Sequence, residues 1–496
     1  MSDESEINFT GRLMDSLGKK TSKGILWSSL EKLGTMALQF GVNLILTRLL
    51  VPEAFGLIGL LDIFLAVAQT LMDGGLASAL IQKSNASEKD FSTVFFTNLS
   101  ISILAYIILF LSAPLIARFY RLPQLVPIVR VLSLYIVSNA LGIVQLTIIR
   151  KNLNFNRLAK INIFSYIIAS VAAIIIAFSG GEAWSIVTLT LGYSVFVTLS
   201  AWMVSSWRPK LLFSTAALRN LFSFGGYFVG ANILQEIARN LQGIIIGRRF
   251  SASYMGLYTQ ANKLDRITSY TVPNILVQVM YPVYSNIKDD DTRLRDMLGL
   301  NTRLIAGVLF PLFAILIIIA PSLIPFLFGD KWIGVIPYYQ ILCVGGFFVS
   351  LQNIYFYAVA AKGKSRVLFL WSFYKWGFLI AAICAGMFFG MDGILWAIAL
   401  SGFNIYLVNA LLTARYTEYK FHLQIADLLP LILLVATGLA GAESAKAFLH
   451  LNDLLAALFF LIFYVAAAIL LKLSVVGEIK TFIKRLLIRK KSNSAE

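Results

Sequence analysis

Cysteine and histidine are almost missing from this chain, and charge is scarce. The two cysteines, Cys343 and Cys384, fall inside apolar stretches, and the two histidines, His422 and His450, lie near the ends of such stretches. Neither a disulfide framework nor metal-ligand spacing can be drawn from them, so we expect inert packing cysteines, no metal and no cofactor. No H-E-x-x-H pattern or paired carboxylate accompanies the histidines, which removes most of the acid-base and metal-assisted chemistry open to an enzyme. Gly363-Lys364-Ser365 ends like a phosphate-binding loop, but that motif's first glycine would fall at Ala358, inside a helix. An ATP-binding domain is therefore not expected. Only 14% of the residues are charged, against about 25% in an ordinary soluble domain.

Apolar sequence fills that space. Hydrophobic residues make up 58% of the 496, the mean hydropathy is +0.78, and apolar runs of about 20 residues recur, each long enough to cross a hydrocarbon layer of about 30 Å as a helix. The runs predict an all-α polytopic membrane protein with about fourteen spans, near 25–48, 54–82, 91–113, 125–149, 158–179, 183–205, 217–247, 254–286, 294–319, 334–361, 366–389, 393–415, 424–441 and 453–472. Met1 to Lys23 is polar and lacks a signal-peptide core, so the first run is expected to persist as a helix.

The net charge of +17 could suggest nucleic acid, but the aromatics sit within or at the ends of spans rather than on a basic water-facing surface, so we expect no nucleic-acid partner. Lysine and arginine concentrate in the termini and the even-numbered connections. The odd-numbered ones hold only Arg48, Arg118, Arg121, Arg248, Arg249, Lys331 and Lys446. By the positive-inside rule both termini are expected in the cytoplasm, and the basic tail serves as an orientation anchor at an anionic leaflet.

An internal repeat organises the spans. Ile45, Arg48, Gly56 and Leu57 align without gaps on Ile245, Arg248, Gly256 and Leu257, and Ala113-Pro114-Leu115-Ile116 resembles Ala320-Pro321-Ser322-Leu323-Ile324. Spans 1 to 6 thus correspond to spans 7 to 12, and because six is even the two lobes enter the membrane in the same direction. The expected division is a cytoplasmic N-terminal segment 1–23, an N-terminal lobe 24–205, a cytoplasmic linker 206–216, a C-terminal lobe 217–415, two further helices in 416–472 and a basic tail 473–496.

Some polar residues stand where hydrocarbon should be. Ser28, Glu31, Lys32, Thr35, Gln39 and Asn43 share one face of the first span, and Asp62, Gln69 and Asp73 form a stripe on the second. Asn232, Gln235, Glu236 and Arg239 mark the seventh, Thr259, Lys263, Arg266 and Tyr270 the eighth, and Lys375 the eleventh. A charge at a helix centre costs about 3 kcal/mol on insertion, so these groups together cannot face lipid. Buried ion pairs would explain them one by one, and Arg130 and Arg303, near span ends, can snorkel. Collectively, with Lys32, Arg130, Arg239, Lys263, Arg266, Arg303 and Lys375 against Glu31, Asp62, Asp73, Glu236 and Asp265, they describe a wet cavity suited to an anionic head group. Lys32, Gln39, Asn43, Asn232, Arg239, Lys263, Arg266 and Lys375 are the candidate ligands for such a head group and its polar neighbours. Glu31, Asp62 and Asp73 are the candidate ion-coupling groups. Pro273, Pro282 and Pro311 interrupt spans 8 and 9 and free carbonyls there.

The stretches Gly24-Ile25-Leu26-Trp27, Thr47 to Leu57 (TRLLVPEAFGL), Asp73-Gly74-Gly75-Leu76, Ala79 to Lys83, Ser92-Thr93-Val94-Phe95, Ala113 to Tyr120 and Ile149-Arg150-Lys151 resemble the polysaccharide transporter family, in particular the colanic-acid-exporter type of Wzx flippase. That family lies within the multidrug/oligosaccharidyl-lipid/polysaccharide exporter superfamily. The resemblance implies a twelve-helix bilobal core plus two helices, alternating access, and an undecaprenyl-pyrophosphate-linked oligosaccharide as cargo in a bacterial inner membrane. We expect a monomer, with polymerase and chain-length machinery as candidate partners. Rival readings are a lipid-linked peptidoglycan precursor flippase, a drug/cation antiporter of the same superfamily, and a membrane glycosyltransferase or polymerase.

Overall fold

The computed structural model describes residues 34–83 and 85–478. Residues 34–470 form fourteen successive helical stretches, one for each expected span: α1 (34–49), α2 (Pro52–Gln82), α3 (Glu88–Tyr120), α4 (Leu125–Lys151), α5 (Phe155–Phe178), α6 (Ala183–Val204) and α7 (Thr215–Arg249). Then follow α8 (252–286), α9 (Asp291–Phe328), α10 (Val335–Ala361), α11 (Ser365–Gly386), α12 (Gly390–Tyr416), α13 (Phe421–Leu449) and α14 (Asp453–Leu470). No strand occurs among the described residues. The protein is an all-α polytopic membrane protein.

Local chemistry sets the boundaries. Val51 is extended and Pro52 opens α2, where its missing N–H costs nothing. Ser87 and Asp90 form a capping box at the start of α3, and Asp290 accepts the backbone N–H of Arg293 at 2.9 Å ahead of α9. Gly74 and Gly75, with φ of +53° and +70°, break α2 where a side chain would be strained. Several helices outrun the sequence expectation. The third continues through Pro114 to Tyr120, the ninth through Pro321 and Pro325 to Phe328, and the thirteenth to Leu449. In a membrane helix, neighbours and local adjustment can satisfy the carbonyls that a proline frees.

The outer faces are apolar. Leu104, Leu111 and Leu115 on α3 are each more than half exposed, an arrangement that invites aggregation in water and forms an ordinary lipid face in hydrocarbon.

The chain divides into two compact units, one running to Gly256 and one beginning at Leu257. In the first, α2 and α3 pack on α4, and α4 and α5 pack on α6. In the second, α8 and α9 pack on α10, and α10 and α11 pack on α12. These are the same pairings displaced by six helices, so the weak sequence repeat corresponds to a repeated packing scheme. Within the first unit α7 lies against α2 and α3. Within the second, α13 and α14 pack on each other and on α9.

At one place the repeated motifs meet. A Cβ added to Gly56 would lie 1.7 Å from the carbonyl oxygen of Ala252, and one added to Gly256 would lie 1.8 Å from that of Pro52. The contact is reciprocal: residues 52 and 56 meet 252 and 256, each glycine against the other motif's first helical residue. Only glycine permits backbones to approach so closely.

Candidate functional site

Three helices of the first unit, α1, α2 and α7, carry the polar groups expected from the sequence. On α1, Gln39 is exposed and Asn43 half-buried, while Ser28, Glu31 and Lys32 lie outside the described residues. On α2, Asp62 is exposed. Asp73 is half-buried at the last turn before the glycine break, with one carboxylate oxygen shielded and unbonded and Arg150 within electrostatic reach. Asn232 and Arg239 are exposed on α7, where Arg239 stands 4.0 Å from Glu236 one turn earlier.

The first unit also holds a neutral network, of which the sequence had marked only Gln69. Asn139 of α4 donates its amide to Gln69 of α2 at 3.1 Å, and Ser194 of α6 donates to Asn139 at 2.7 Å. Tyr135 adds a hydrogen bond to the Leu65 carbonyl at 3.3 Å. Gln69 therefore faces α4, whereas Asp62, seven residues earlier, remains exposed.

In the second unit, Lys263 and Arg266 are exposed on α8, three residues apart and hence on one side of the helix. Asp265, between them in sequence, points the other way and is only 6% exposed, bonded to the hydroxyl of Ser269. Lys375 is half-buried on α11, its ammonium 4.8 Å from the Trp376 ring centroid. The structure thus gathers Lys263 and Arg266 on one helix and places Lys375 on another, which packs on α12 and α10.

Arg303 does not snorkel. From α9 its Nη1 reaches Asp427 of α13 at 2.8 Å and its Nε reaches Glu478, in the helical segment 474–478, at 2.9 Å. Tyr419 donates its hydroxyl to the other oxygen of Asp427 at 2.6 Å. Gly299 leaves room for the pair, since a Cβ there would lie 3.1 Å from both Arg303 Nη1 and Asp427 Oδ2. Arg130 is also held within the protein, its guanidinium 4.4 Å over the Phe110 ring.

The three charges of the Arg303 cluster are mostly withdrawn from water, with side-chain exposures of 24%, 19% and 17%. Removing the guanidinium leaves two carboxylates facing each other, so Arg303→Ala should destabilise the protein by about 3 kcal/mol, read as a lower thermal unfolding temperature in detergent. Arg303→Lys should recover only part of the loss, because an ammonium cannot make the forked contact. An unfolding temperature unchanged in Arg303→Ala would show that the cluster contributes nothing.

Residues 45–337 match a family described as polysaccharide biosynthesis protein. The teichuronic acid biosynthesis protein TuaB of Bacillus subtilis is 26% identical over 360 residues, covering 72% of this chain and 74% of TuaB. The lipopolysaccharide biosynthesis protein WzxC of Escherichia coli is 26% identical over 377 residues, covering 75% and 76%. Among solved structures, the lipid II flippase MurJ in an inward closed conformation superposes with a TM-score of 0.70 at 15% identity, over 90% of this chain and 99% of that one. At such low identity the likeness establishes shared architecture alone. The family match spans more than half of the chain, and the chain belongs to the polysaccharide biosynthesis protein family.

Proposed function

We propose that this protein is a flippase that carries undecaprenyl-pyrophosphate-linked oligosaccharide repeat units from the cytoplasmic to the periplasmic leaflet of a bacterial inner membrane. The observation that carries the reading is the family match over residues 45–337, together with relatives whose names place them in teichuronic acid and lipopolysaccharide biosynthesis. Both termini lie in the cytoplasm in this reading, because the even-numbered connections hold most of the lysine and arginine. The two six-helix lobes rock about the cargo by alternating access.

Lys32, Arg239, Lys263, Arg266 and Lys375 draw in the pyrophosphate, while Gln39, Asn43 and Asn232 meet sugar hydroxyls and the polyprenyl tail stays in lipid. A diphosphate is recognised by charge-assisted hydrogen bonds from several cations, which suits scattered lysines and arginines better than a catalytic constellation would. The protein is therefore a transporter rather than an enzyme, working as a monomer beside the polymerase and chain-length machinery. Glu31, Asp62 and Asp73 are placed as ion-coupling groups, since intramembrane carboxylates are costly unless they serve a purpose.

Deleting the gene and assaying lipid-linked oligosaccharides by leaflet tests the proposal. A repeat unit should accumulate on the cytoplasmic side and disappear on complementation; no accumulation would refute the cargo assignment.

A further inference from the structure

Asp265 lies thirteen residues into α8, about 20 Å along the helix axis at 1.5 Å per residue. Its side chain is almost fully enclosed. Ser269 donates its hydroxyl to Oδ1, and no salt bridge reaches Asp265 among the described residues. The titratable groups around it are Tyr339 and Cys343 on α10, both buried, and Arg266 on its own helix, which is exposed. Tyr339 lies beside Thr268 and Cys343. On α9, Phe313 closes the site with an uncharged ring, next to Gly346 of α10.

The helix is irregular at this place. Ile267–Thr271 form a π turn directly after Asp265 and Arg266, and Pro273 follows two residues later. A proline ring crowds the carbonyl four residues back, here that of Ser269, and widening the turn relieves the crowding. Thr268 and Thr271 donate their hydroxyls to the carbonyls of Asp265 and Arg266, each at 3.2 Å. Gly346 gives Ser269 its space: a Cβ there would lie 2.5 Å from the serine hydroxyl and 2.7 Å from the Phe313 ring. An enclosed carboxyl with a single serine partner thus sits at the irregular turn of a helix whose opposite side shows two cations to the surroundings.

An ionised carboxylate withdrawn from water without a salt bridge costs several kcal/mol, whereas the neutral acid does not. We infer that Asp265 is a proton-binding site of the transport cycle: the sealed carboxyl carries a proton on Oδ2, and α8, turning at its π segment, gives that proton up to water when Asp265 leaves the enclosure. The step is a simple exchange, in which a carboxylate oxygen takes a proton from water on one side of the membrane and returns it on the other. It differs from the candidate coupling groups of α2, where Asp62 is exposed and Asp73 has Arg150 nearby. The link to cargo movement rests on the flippase reading; the protonation does not.

Infrared difference spectra of the purified full chain in lipid, taken while the pH is raised, test the protonation without any cargo. The wild type should show the C=O band of a buried carboxylic acid lost on alkalinisation, and Asp265→Asn should lack it while keeping the wild-type unfolding temperature. Asp265→Glu should restore a shifted band. A band unaltered in Asp265→Asn overturns the site.

In proteoliposomes supplied with a lipid-linked oligosaccharide, a pH gradient should speed wild-type translocation by about tenfold or more and leave Asp265→Asn unaffected. An equal response in both also overturns the proposal. Wild-type protein that moves no cargo would instead defeat the flippase reading, with the infrared result still deciding Asp265.

Discussion

Alanine at Gly56 or at Gly256 will destabilise the protein by at least about 1–3 kcal/mol, the usual cost of overpacking, and the two substitutions together will cost less than their sum. A methyl group at Gly56 would fall 1.7 Å from a backbone carbonyl oxygen, and the one at Gly256 1.8 Å from another. No side-chain rotation can relieve either clash, so the backbones must separate. Once one alanine has parted the two segments, the second finds the space already open, which is why neighbouring sites fail to add. Thermal unfolding of the two single variants and the double variant measures this directly. Full additivity would show that the two close approaches are independent rather than two halves of one contact.

Replacing Lys263 and Arg266 together by alanine will abolish export while membrane insertion and unfolding temperature stay near wild type. Each charge-assisted hydrogen bond to a phosphate is worth about 1.5–3 kcal/mol, so losing two reduces transport by roughly 100-fold to 10,000-fold. Both side chains are exposed, so truncation opens no cavity. Complementation of the deletion strain gives the readout, with cysteine at each position labelled by a water-soluble thiol reagent to establish that this side of α8 is wet. Export at the wild-type level would remove these residues from the cargo site.

The helices were legible because bilayer thickness imposes a run length that composition alone reveals, and all fourteen runs have a counterpart among the helical stretches. The expected ends at 113 and 319, just ahead of Pro114 and Pro321, fell short of the observed ends at Tyr120 and Phe328, since proline ends a helix more readily in water than in a membrane. The repeat was visible in Arg48, Gly56, Arg248 and Gly256. Self-alignment reports which residues correspond and says nothing about whether they touch, so the reciprocal glycine contact was beyond its reach.

The site was legible only as a set of misplaced charges. Helical spacing separates Asp265 from Lys263 and Arg266 by direction, yet it cannot tell which direction is enclosed; that depends on Tyr339, Cys343 and Gly346, more than seventy positions away. The partners of Arg303 lie 124 and 175 residues away in sequence, so no local pattern announces them. Gln69 stood out only through the stripe it shares with Asp62 and Asp73, whereas its partners Asn139 and Ser194 are neutral side chains within apolar runs and give little warning that they belong to a network.

Purified protein reconstituted into liposomes, with a lipid-linked oligosaccharide confined at the start to one leaflet and followed by a membrane-impermeant reagent that modifies exposed sugars, measures the central claim. Oligosaccharide should reach the opposite leaflet in vesicles containing the wild type and remain behind in empty vesicles or in those with the Lys263→Ala, Arg266→Ala double variant. Equal crossing in all three would contradict the account.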